Sequence, residues 1–170
     1  MLGYTVRISG IKDGSHKSFF DINGEFFESF VSSDVTNCNI KVVSVLTKDE
    51  NKLKLNLDFK GEIHNLLCDL CASQVTVSVN NNISVLIHES DQGINDFDDI
   101  IYIKKNQHEI NISQLIYEGI ILSIPSKKEH KGNKNNKCDN EMKLLLDKYS
   151  SNNKKNDPRW DKLNKLKNLI

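Results

Sequence analysis

A chain of 170 residues with 38% hydrophobic side chains can bury one core of ordinary size but hardly two, which points to one domain and a tail. No run of about 18 uninterrupted apolar residues occurs, and the opening MLGYTVRISGIKDG lacks the features of an export signal, so a cytoplasmic protein without a membrane partner is expected. The net charge of zero hides a division: residues 1–125 carry 10 Lys or Arg against 17 Asp or Glu, net −7, whereas residues 126–170 carry 13 against 6, net +7. The expected organisation is therefore an acidic, β-rich body over 1–125 and a basic tail over 126–170. Lys-rich arms of this kind gain affinity for phosphate backbones by releasing counterions, or else simply keep a tail solvated.

In chain order, Tyr4 to Ser9 reads as a first strand by the alternation of Val6 and Ile8 with polar neighbours, and Lys17 to Ile22 as a second. Asn23-Gly24 is a turn signal, after which Glu25 to Phe30 forms a short helical or irregular element that sinks its phenylalanines into the core. From Ile40 to Ile87 the pattern is strongly β, broken by a turn at Asp49-Glu50-Asn51 and a bend at Cys68 to Cys71. An acidic loop, HESDQGINDFDD, leads to one more strand at Ile100 to Ile103. Helical spacing follows at Ile112, Leu115, Ile116, Gly119 and Ile120, with Asn111 or Ser113 to cap the start and Pro125 to end it. The fold class is thus α+β: a mainly antiparallel sheet or partly open barrel with one covering helix. The tail is expected to be helical and partly flexible. One helix runs from about Glu141 to Tyr149, a second opens at Asp157-Pro158 and carries Trp160, Leu163, Leu166 and Ile170, and SSNNKKN links them.

The chemistry concentrates in four cysteines and one histidine. Cys68-Asp69-Leu70-Cys71 places two thiols on a bend between strands, where they can share one metal ion, and His130 and Cys138 downstream would complete a Cys3His set suited to zinc. Two alternatives stay open: an incomplete site with the thiols half-buried on the hairpin, and His64, four residues before Cys68, as a substitute fourth ligand. A redox pair is disfavoured, because Gln74-Val75-Thr76-Val77 reads as a strand, whereas thiol chemistry wants the first cysteine at a helix N-terminus. Cys38 reads as a small buried hydrophobe. No phosphate loop or catalytic signature appears, and no small-molecule substrate is evident. Asp96, Asp98 and Asp99 read as a solvated turn rather than a magnesium site, and Glu118 lacks a partner that would make it a general base.

Four features in order resemble the YceD family of large ribosomal RNA subunit accumulation proteins. They are Cys68-x-x-Cys71 between long strands, the segment INISQLIYEGIILSIP with Glu118, the His130 and Cys138 pair, and the terminal Asp157-Pro158-Arg159-Trp160 followed by Leu163, Leu166 and Lys167. The resemblance spans roughly residues 55 to 170. It implies a non-enzymatic cytoplasmic factor supporting 23S ribosomal RNA accumulation and large-subunit biogenesis, with metal and nucleic-acid binding. The expected partner is large-subunit ribosomal RNA or a ribosomal protein. Lys127, Lys128, Lys131, Lys134, Lys137, Arg159, Trp160, Lys162 and Lys165 are the candidate contacts. A metal-dependent RNA-processing hydrolase is the competing expectation.

Overall fold

The computed structural model describes residues 3–30, 33–50, 52–89, 100–104, 106–130 and 138–149. Five strands, β2 (Gly14–Ile22), β3 (Asn37–Asp49), β4 (Lys52–Leu67), β5 (Gln74–Glu89) and β6 (Ile100–Ile103), lie side by side in that order. The first four are antiparallel neighbours and β6 joins β5 in parallel, so the sheet is open rather than closed into a barrel. The N-terminal strand β1 (Thr5–Arg7) does not enter this sheet. It pairs with β7 (Glu109–Asn111), a three-residue strand too short to leave a periodic signal in the sequence.

Period-two alternation makes one face of the sheet the core. Ile40, Val42 and Leu46 of β3, Leu55, Leu57, Phe59 and Ile63 of β4, and Val75, Val77 and Val79 of β5 are buried, while Lys41, Lys60 and Asn80 face solvent across from one another. The buried face is covered by α1 (Gly24–Phe27), by α2 (Ser113–Ser123) and by the β1–β7 ribbon. Phe26 and Phe27 enter the core as expected, and Phe30 stacks on Tyr117 of α2 with centroids 4.2 Å apart. Asn111 serves α2 from one position upstream of the cap: its Oδ1 accepts the Ser113 N–H at 2.8 Å, and the chain leaves the helix at Ile124, just before Pro125.

Gly119 brings α2 close to the sheet. A Cβ there would lie 2.6 Å from Phe59 Cζ and 2.7 Å from Ile83 Cδ1, so only glycine lets the helix sit at this depth. The last helix, α3 (Asn140–Tyr149), buries none of its side chains among the described residues; Met142, Leu144, Leu145, Leu146 and Tyr149 are exposed. The residues expected to form a second tail helix, from Asp157, and those of the expected acidic turn, Asp96, Asp98 and Asp99, lie outside the described residues. None of the described helices is long and apolar enough to cross a membrane.

Candidate metal centre

The strict alternation of β4 would turn Cys68 to the solvent side, because Ile63 is buried and every second residue after it is odd-numbered. One extra residue corrects this. Between Ile63 and Leu66 the register with β5 shifts, with Asn65 in the left-handed region at φ 61°, and the buried positions move to Leu66 and Cys68. Beyond the bulge the chain turns tightly. The Cys68 N–H donates to the Ser73 carbonyl and the Ala72 N–H to the Cys68 carbonyl, both at 2.9 Å, with Ala72 at φ 56°. This bend aims the Cys68 and Cys71 thiols at the same side of the hairpin.

Asp69, between the two cysteines, brings in the rest of the site. Its N–H donates to the Lys128 carbonyl at 2.8 Å, and its carboxylate accepts the Lys128 N–H at 2.6 Å and meets the Lys128 ammonium at 3.2 Å. Those contacts, from the Lys128 N–H first, hold the Asp69 carboxyl below its ordinary pKa. The segment after Pro125 is thereby clamped to the bend, and His130 two residues further on reaches the thiols.

All four expected ligands converge. The donor atoms of Cys68, Cys71, His130 and Cys138 lie within 4.8 Å of one another. Cys68 Sγ is 3.7 Å from Cys138 Sγ, and His130 Nδ1 is 3.6 Å from Cys71 Sγ and 3.4 Å from Cys138 Sγ. A tetrahedral ion with metal–sulfur bonds of about 2.3 Å and metal–nitrogen bonds of about 2.0–2.1 Å needs edges of about 3.8 Å between sulfurs and about 3.6 Å between sulfur and nitrogen. The donors present fit such an ion in kind, number and spacing. His64 is not among them; its Nδ1 meets Thr76 Oγ1 at 3.3 Å.

The surroundings prepare these donors for a cation. His130 Nε2 lies 3.0 Å from the Gln74 carbonyl, which acts as acceptor and leaves Nδ1 with its lone pair toward the thiols. That bond also raises the His130 pKa. Backbone N–H groups of Asp139 and Ser73 donate to Cys71 and pull its thiol down to about 6. At Cys68 burial acts upward, but the N–H groups of Leu70 and Cys71 outweigh it and the pKa is lowered. Cys138 is pushed up, by burial first. Cys38 stands apart with a burial-raised pKa of about 11, its thiol directed to the Ile22 carbonyl at 3.6 Å, as a core residue should be.

Asp69, Gln74 and Asp139 carry no signal in the sequence that would mark them as parts of the site. Asp139 acts twice there. Its N–H donates to Cys71, and its Oδ1 accepts the Glu141 N–H at 2.9 Å, so α3 starts directly at the centre. Of the candidate contacts in the tail, Lys127 and Lys128 are described, and the Lys128 ammonium is engaged by Asp69. Lys131, Lys134, Lys137, Arg159, Trp160, Lys162 and Lys165 lie outside the described residues.

Among known families, the profile described as large ribosomal RNA subunit accumulation protein YceD matches residues 55–167, which takes in the whole centre. No curated protein and no solved structure matches the chain.

Proposed function

The chain belongs to the YceD family, whose name implies a role in large-subunit ribosomal RNA accumulation, and from that premise we propose a non-enzymatic assembly factor acting in the cytoplasm. It binds large-subunit precursor RNA through the basic segment after Pro125, and a zinc ion at Cys68, Cys71, His130 and Cys138 fastens that segment to the acidic body. The observation that carries this reading is the convergence of four donors, two from the β4–β5 bend and two from the basic segment, at tetrahedral spacing. A zinc ion there closes a loop of some sixty residues and defines where α3 leaves the body.

The donor set also weighs against the hydrolase alternative. Four protein ligands fill a tetrahedral shell, whereas catalytic zinc keeps a position for water. The function is tested by sedimenting the tagged full chain on ribosome gradients. It is expected with large-subunit precursors and should leave labelled RNA intact in magnesium; recovery only at the top of the gradient at low salt overturns the reading.

A further inference from the structure

β5 is paired with β4 along one edge, but on its other edge β6 covers only Leu86 to Glu89. From Gln74 to Val85 no strand is therefore paired on that edge among the described residues. Two hydrogen bonds establish which groups face outward. The Ser73 carbonyl accepts the Cys68 N–H on the β4 side, and the next carbonyl, Gln74, accepts from His130 on the other. Strand backbones alternate, so Thr76, Ser78 and Asn80 present their N–H and C=O groups to the open edge. None of these backbone groups has a partner among the described residues, whereas the Asn82 N–H is taken by Asn81 Oδ1 at 2.9 Å.

Exposed edges are ordinarily guarded by charge, proline or a bulge. Residues 74–85, QVTVSVNNNISV, contain no charged residue and no proline, and the bulge lies on β4, away from this edge. Next to Val75 to Ser78 the edge forms one side of a groove of about 430 Å³, walled by Pro125 and by Lys127 to His130. We propose that this edge takes up an extended, basic peptide segment of a partner protein as an added strand.

Topology favours a single segment over a second copy. β6 occupies the same edge, so pairing two β5 strands about Val79 would set Leu86 of one copy, with β6 beside it, against Ala72 in the metal-bearing bend of the other. A lone extended peptide meets no such obstacle. Charge favours a basic one: Glu62 and Glu129 line the groove, its two lysines both lie by the Asp69 carboxylate, Lys128 paired with it and Lys127 within reach of its charge, and residues 1–125 carry net −7. This inference is independent of the RNA reading above.

The test uses the full chain and the peptide Val-Lys-Val-Lys-Val-Lys-Val-Lys, fluorescently labelled, with two copies N-methylated at alternate residues in opposite phase. Saturable binding is expected, weakened at least about tenfold by methylation in one phase and less than about threefold in the other, because only one set of amides faces β5. Amide exchange at Thr76, Ser78 and Asn80 should be fast in the free chain and slow with peptide. Equal binding by both methylated copies, no binding at millimolar peptide, or amides already protected in the free chain, whether by its own segments or by dimerisation, would each overturn the proposal.

Discussion

Gly119→Ala tests how closely the covering helix is docked. The added Cβ would meet the Phe59 ring at 2.6 and 2.8 Å and Ile83 Cδ1 at 2.7 Å. Ile83 is half-buried and can turn aside, but Phe59 is fully buried between strands and cannot. Overpacking typically costs about 1–3 kcal/mol, and an approach of 2.6 Å to a ring that cannot yield belongs at the upper end, about 3 kcal/mol. Replacing glycine by alanine inside a helix returns about 1 kcal/mol. The net loss of about 2 kcal/mol corresponds to a Tm lower by about 4–8 °C for a chain of this size. Thermal unfolding followed by circular dichroism reads it directly. Adding Phe59→Leu should make room for the methyl, so the double variant should lose less than the sum of the two single losses. A Tm unchanged or raised by Gly119→Ala would mean instead that the helix clears the sheet and the propensity gain goes unopposed.

Three further outcomes follow from the site and the tail. Asp69→Ala removes the clamp on Lys128 and should weaken zinc binding about tenfold or more in chelator competition, the scale typical of groups that hold a ligand in place. In metal-stripped protein at pH 7.5, iodoacetamide should modify Cys71 well before Cys38, although both are similarly buried; a pKa near 6 leaves Cys71 ionised whereas one near 11 leaves Cys38 neutral, a difference in thiolate on the order of a thousandfold, and peptide mapping shows the order. RNA affinity of the full chain should fall by at least about a hundredfold between 50 and 200 mM salt, and replacing Lys131, Lys134 and Lys137 by Gln should reduce the slope of log affinity against log salt by about two to three.

The long strands were legible because β3, β4 and β5, of 13, 16 and 16 residues, are long enough to hold clear runs of period-two alternation such as Leu53 to Phe59 and Val75 to Val79. Strand β7 was not, since three residues hold no period and its pairing with Thr5 to Arg7 joins chain positions about a hundred apart. At the centre, residue type and the short Cys68 to Cys71 spacing revealed the ligands, but they could not choose between His130 and His64. That choice depends on Asp69 seizing Lys128 and on Gln74 orienting the ring, contacts between segments remote in sequence. The bulge at Asn65 was equally hidden, although it alone decides which way Cys68 points.

The proposed ion at Cys68, Cys71, His130 and Cys138, which would join the basic segment to the body, is read from the metal content of freshly purified, chelator-free full chain. About one zinc per chain is expected, lost in Cys68→Ser. Less than about a tenth of an equivalent, or a Cys68→Ser variant that keeps its zinc, would contradict it.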